Sequence, residues 1–355
     1  MMESVQRIRY PSFDYSNIDP SSIPIIEVIV RSDSKPPTPF RIGNEEGWMV
    51  EWRGKKTGDD LLPIIDSVTT TATLPFLMRT RDGWYIEPDS IHAIARKLIA
   101  PTVVILIMSL LLHAIAPVIS QNSILLQSYQ IGPLDYPLLL LITFPIFVLP
   151  IIMRSFANYR DINNQNYYIQ NPLDEPEIDL KIGNGNVTIN SMKMPEGVIV
   201  EAARLQVGVA VPERASILKA LDRDENEQPP PGMSTPLPER RIASVEEHGT
   251  GVGEAIPMPI AHSRVLILEP LRVCSRGELV NLNGGGSCTL QGPEERWPGS
   301  IYSSLIALHW ELIVYVQRSG AKMQWVKPII MQGPEEEINI EKLPLMSSRA
   351  EISEK

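Results

Sequence analysis

Two apolar runs, Leu98–Ile119 and Tyr136–Met153, constrain this chain more than any other feature of it. The first contains no Asp, Glu, Lys or Arg. At about 1.5 Å per helical residue it reaches roughly 33 Å, enough for a hydrocarbon core of about 30 Å. The second is shorter and close to the lower limit for spanning. A start near residue 98 excludes a signal peptide, and a buried core helix rarely stays free of charge on every face. The pair therefore predicts a transmembrane hairpin over 98–153, with helices at 98–119 and 136–153. The loop between them, Ser120–Asp135, carries Asp135 as its only charge.

Arg96 and Lys97 precede the first run, Arg154 and Arg160 follow the second, and the loop has neither residue type. Cytoplasmic helix ends carry the excess of Lys and Arg, so the expectation is a multi-pass protein of the cell membrane with both termini cytoplasmic. Pro101 and Pro117 near the ends of the first helix, and Pro145 and Pro150 in the second, mark kinks or helix ends. His113 is the single titratable side chain within the first run, a proton or ligand site by its depth but placed near the outer end, where it reaches water. Thr102, Ser109 and Thr143 nearly complete the polar set inside the runs.

The chain has 355 residues and a net charge of −10, which leaves no basic stripe for a nucleic-acid partner. Its two cysteines, Cys274 and Cys288, fall in an arm expected to be cytoplasmic and are read as reduced.

The N-terminal arm, 1–97, opens on a Pro-, Ser- and Asp-rich segment and then shows strand-like runs at Ile25–Val30, Gly47–Trp52, Ser67–Thr73 and Gly83–Ile86. This predicts a β-rich module. Pro88-Asp89-Ser90 is a helix start, with Asp89 or Ser90 as cap. Trp48, Trp52, Trp84 and Tyr85 read as the core of such a module rather than as a binding face.

After a polar linker at 154–173, short β-type runs resume. Ile178–Ile182 and Val187–Ile189 flank the turn Gly183-Asn184-Gly185-Asn186, a hairpin signal. Arg204–Val211 alternates as a half-buried strand does. Leu305–Val316 is the clearest strand: Ile306, Leu308, Trp310, Leu312, Val314 and Val316 line one face, with Ala307, His309, Glu311, Ile313 and Tyr315 on a second, partly wet face. Val265–Leu268, Leu271–Val273 and Trp325–Met331 add further strands. The fold class expected for 174–332 is an immunoglobulin-like antiparallel β-sandwich. A Pro- and Gly-rich insert at 222–259 is expected to be disordered, and 333–355 to be a polar tail.

One segment carries a family resemblance. Pro298-Gly299-Ser300-Ile301-Tyr302 leads into Leu308-His309-Trp310-Glu311-Leu312-Ile313-Val314, after an apolar strand and Gly284-Gly285-Gly286. This order resembles the second half of an arrestin-like sandwich, and Val198–Val211 resembles an earlier strand of the same fold. The chain departs from that family in having one apparent sandwich instead of two, and a membrane hairpin ahead of it. The resemblance implies a non-enzymatic adaptor that binds proteins through strand edges and loops, and it carries over no individual binding residue.

Motifs of chemistry are incomplete. Asp222, Asp224 and Asn226 begin like a calcium loop, but Glu227 and Met233 stand where Gly and Glu are required. Gly285-x-Ser287 lacks the second Gly of a nucleophile elbow, Thr289 standing there, and Gly284-Gly285-Gly286 lacks the lysine of a phosphate loop. His92, His113, His248, His262 and His309 show no metal-ligand spacing, though Cys274, Cys288 and His309 could meet in space. No catalytic, cofactor-binding or metal-ligating residue is predicted. The expected function is a membrane-anchored scaffold or adaptor that recruits protein partners, with a subunit of an oligomeric transporter or channel as the alternative; an enzyme acting on lipid or peptidyl substrates is the least favoured.

Overall fold

A computed structural model of the chain describes residues 2–9, 25–33, 35–47, 49–54, 82–119, 127–210, 258–259, 271–282, 287–303 and 306–342. Its first strand, β1 (Met2–Arg9), is one the sequence does not announce, because Glu3, Gln6, Arg7 and Arg9 mask its alternation. It pairs antiparallel with β2 (Ile26–Ser32) and with β4 (Met49–Gly54), which in turn pairs with β3 (Phe40–Gly43). One face of this sheet gives Ile8, Phe40, Ile42, Val50 and Trp52 to the main core. Charges are paired on its other face. One Nη of Arg7 lies 2.9 Å from both Glu45 and Glu51, and Arg41 approaches Glu51 to 2.7 Å. Arg7 and Glu51 are buried, where only such pairing makes a charge tolerable. The Arg7 guanidinium also holds the Glu45 carboxyl below its usual range.

The chain continues through β5 (Gly83–Ile86), α1 (Ile91–Ile119), the small hairpin β6 (Ser128–Ile131) and β7 (Leu134–Pro137), and α2 (Leu138–Gln170). Then come β8 (Glu177–Ile182), β9 (Asn186–Lys193), β10 (Ile199–Ala210), β11 (Met258–Pro259), β12 (Leu271–Arg276), β13 (Val280–Asn281) and β14 (Cys288–Gln291). The last four are β15 (Ile301–Tyr302), β16 (Ala307–Arg318), β17 (Ala321–Ile329) and β18 (Ile338–Ile340).

Strand pairing crosses the domain boundaries expected at residues 97 and 332. The main sheet runs β11-β5-β17-β16-β10-β12, so β5, from before the helices, sits inside the C-terminal sheet against β17. In the other direction β18, from the expected tail, pairs in parallel with β3. A third sheet, β14-β9-β8, shares with these two a single apolar core, to which Trp84, Leu205, Val207, Leu290, Trp310, Trp325 and Ile340 all belong. The sheets are mostly antiparallel, and the β8–β9 hairpin turns at the predicted site, with Gly185 at φ 78°. The expected disordered insert lies outside the described residues except for Met258 and Pro259, which form β11.

Both apolar helices are longer than the runs that announce them. α1 has 29 residues and begins at Ile91, its amide bonded to the Asp89 carboxylate, which places Pro101 inside the helix rather than near its start. α2 has 33 residues, starts two positions later than expected because Tyr136 and Pro137 pair within β7, and runs unbroken past Pro145 and Pro150. The stretch expected as a polar linker is helical as far as Gln170. Each helix is long and apolar enough to cross a membrane, and each turns side chains such as Val104, Leu110, Phe144 and Ile152 outward from the protein.

The seam between the helices is built from small residues. Ser109 and Thr143 share a buried hydrogen bond of 2.9 Å. Seven residues along each helix from that bond stand Thr102 and Pro150, and seven further Ala95 and Ala157; all four are buried. A seven-residue step keeps one helix face on its partner, and small side chains permit close backbone approach. Beyond the apolar part the helices are clasped by charge. Asp161 accepts from the Asp89 amide at 3.1 Å and meets His92 Nε2 at 2.9 Å, while Arg160 bridges to Asp89 at 2.9 Å. Farther on, Tyr168 of α2 enters the β core, 1% exposed, and donates to the Arg318 carbonyl at 3.1 Å.

Candidate functional site

Strand β16 serves two surfaces because successive side chains leave it on opposite sides. Its even-numbered residues from Leu308 to Val316 are core, as their spacing predicts. The odd-numbered face is drier than expected, with Ala307, His309, Glu311 and Ile313 all inside, and is partly wet only at its far end, where Tyr315 and Gln317 are half-buried. Tyr85 and Val326 pack against Ile313, with Tyr315 beside them.

A polar cluster lies on that second face. Antiparallel pairing sets Tyr302 of β15 opposite Ala307, which brings its hydroxyl to 2.6 Å from His309 Nδ1. Glu311 lies 3.2 Å from the other ring nitrogen. Across the sheet Gln206 stands opposite Glu311 and accepts from Arg276 Nε at 3.2 Å. Ser303 donates to the side chain of Gln6, 2.9 Å away, tying the first sheet to this edge of the main one. Burial, and secondarily the charge of Glu311, push the Tyr302 phenol well above its ordinary value, so it stays protonated. Tyr302, His309 and Glu311 are therefore a largely buried polar group, in which Nε2 of His309 approaches Glu311 without a hydrogen bond, and among the described residues no nucleophile stands in line with it.

On the core side, Trp310 leads to an open cleft. Its indole donates to the Pro298 carbonyl at 2.8 Å, and with Trp297 and Met331 it forms the apolar part of a cavity of about 1180 Å³. The walls are the end of β12 with the residues that follow it, the segment 291–297, and the segment 331–336. Glycine is required where these walls close: a Cβ on Gly277 would run into the Gln291 carbonyl, and one on Gly292 would stand 2.7 Å from the Gly185 carbonyl. The lining holds the carboxylates Glu278, Glu294, Glu295, Glu335 and Glu336 against two guanidiniums, Arg276 and Arg296. Arg296 bridges to Glu336 at 2.8 Å, and Ser275 donates to Glu295 at 3.2 Å.

Several residues singled out in the sequence fall elsewhere. Cys288 packs against the apolar core with its thiol pushed up by burial, on the opposite side of the main sheet from His309, so the two do not meet. Cys274 lies in β12 opposite Gly208, which is itself opposite His309. His92 belongs to the helix clasp, and Trp52 and Trp84 are core. His248, His262, Trp48, Ser67–Thr73, Val265–Leu268, the Asp222–Asn226 motif and Gly284–Gly286 lie outside the described residues. Among the described residues no group of three or more His, Cys, Asp or Glu is placed to hold a metal ion. The cleft was not foreseen, although Gly292-Pro293-Glu294-Glu295-Arg296-Trp297, an acidic turn ending on a tryptophan, marks one wall of it in the sequence.

No family model matches the chain, and no curated protein or solved structure matches it significantly.

Proposed function

We propose that the protein is a membrane-anchored scaffold: the paired helices cross a bilayer, both arms lie on the cytoplasmic side, and the β body, an arrestin-like sandwich in this reading, recruits a protein partner. The observation that carries the reading is the continuity of α2. One helix runs from the outward-facing apolar segment to Tyr168 in the β core, so the β body is held at a set distance and orientation from the apolar pair. Arg96, Lys97, Arg154 and Arg160 lie near the junction, where basic side chains meet headgroups. The body offers an open cleft at one side and no aligned nucleophile among the described residues, which favours binding over catalysis.

The test is crosslinking and affinity purification of the tagged full-length protein from its own membrane, compared with a form whose cleft lining is substituted and whose helices are intact. A defined set of proteins that comes down with the full chain supports recruitment. A second reading, an oligomeric transporter or channel subunit, is favoured by the buried Ser109–Thr143 pair and by His113, whose Nδ1 is buried with no hydrogen-bond partner among the described residues. Recovery of the protein only with copies of itself turns the choice toward that reading.

A further inference from the structure

We propose that the cleft beside Trp297 and Trp310 is the docking site for an extended segment of a partner protein that carries lysine or arginine, an assignment that rests on the recruiting role proposed above. Charge is the first argument. Five carboxylates face two guanidiniums in the lining, and Glu278, Glu294 and Glu335 have no ion pair among the described residues. A basic side chain entering the cleft meets acceptors that the protein leaves uncommitted, whereas a phosphate or a nucleic acid meets repulsion.

The second argument is a missing acceptor. Trp297 lines the cleft and is 4% exposed, yet its indole N–H has no hydrogen-bond partner among the described residues. A buried donor left unpaired is costly, and the carbonyl of an incoming peptide backbone supplies what it lacks. The third argument is shape. About 1180 Å³ is more than a single small ligand needs and suits several residues of extended chain. Leu279 and Ile330, neighbours in sequence of lining residues, are exposed aliphatics that offer further contact. Among the described residues β12 is also the terminal strand of the main sheet, and its end forms part of the wall, so a segment laid there continues the sheet.

The experiment uses the full chain in detergent and two fluorescein-labelled dodecapeptides. One alternates lysine and arginine with leucine and serine; the other has glutamate and aspartate in the basic positions. Fluorescence anisotropy is expected to show the basic peptide binding at least about tenfold tighter, with affinity falling as salt rises. Combining Glu278→Gln, Glu294→Gln and Glu335→Gln is expected to weaken it about tenfold, as removal of charge-assisted contacts does. Trp297→Phe, which keeps the ring and removes the N–H, is expected to weaken it about fivefold. Equal binding of the two peptides, or unchanged binding by a triple variant that melts like the parent, overturns the assignment. The same triple variant separates the two proposals. If it still captures the partners of the full chain, the cleft assignment falls and recruitment stands; if the full chain captures none, recruitment falls.

Discussion

The helix pair and the β body are both packed interiors, and they are packed by opposite means. Between the helices the buried side chains are small or hydroxylated, with one proline: Ala95, Thr102 and Ser109 on one, Thr143, Pro150 and Ala157 on the other. In the β body they are large, with Trp310, Trp325 and Phe40 among the bulkiest of the fully buried side chains. The difference follows from what lies outside. The apolar helices turn their long aliphatic side chains outward; in the bilayer proposed above an apolar solvent removes any gain from burying them, so close backbone approach and a hydroxyl pair hold the seam. The β body faces water and gains by removing aromatic surface from it.

The sharpest test of that contrast is Trp310→Ala. It removes an indole from the core and an N–H bond to Pro298, and thermal unfolding of the full chain in detergent is expected to show a loss of about 4 kcal/mol. Next comes Glu51→Ala, which takes from the buried Arg7 one of its carboxylates, Glu45 and Glu27 remaining, and is expected to cost about 2 kcal/mol. Ser109→Ala should cost only about 0.6 kcal/mol, because the seam depends on closeness more than on its one hydroxyl pair. A Ser109→Ala loss as large as that of Trp310→Ala would break the comparison.

The smallest effect at neutral pH belongs to Tyr302. Its folded-state pKa is raised, so the stability it contributes is present below the unfolded value of about 10 and is lost as pH rises above it. Unfolding measured between neutral pH and pH values above about 10 is expected to fall more steeply for the parent than for Tyr302→Phe.

Much of the local structure was legible in the chain. The apolar runs marked both helices, and alternation marked β10 and β16 within a few residues. What was not legible was partnership across long separations. Nothing local in Gly83–Ile86 says that it pairs with β17, or in Ile338–Ile340 that it pairs in parallel with β3. β1 was missed because its buried Arg7 reads as solvated until Glu45 and Glu51 are brought beside it. The second face of β16 was read as partly wet for the same reason: His309 and Glu311 look like surface residues until Tyr302 and Gln206 are placed around them. The linker at 154–173 looked polar because only one stripe of it, Ala157, Asp161, Gln165 and Tyr168, is buried.

The pairing of β5 with β17 and of β18 with β3 sets an order on biosynthesis. β1, β2, β3 and β4 find one another early, but β5 and the outer edge of β3 have no neighbour until β17 and β18 emerge, residue 340 included, while the apolar helices between them are finished much earlier. The nascent chain must therefore hold β5 and one edge of β3 unpaired while both helices are made, and a chain cut short before residue 338 would have both helices complete and its first sheet one strand short.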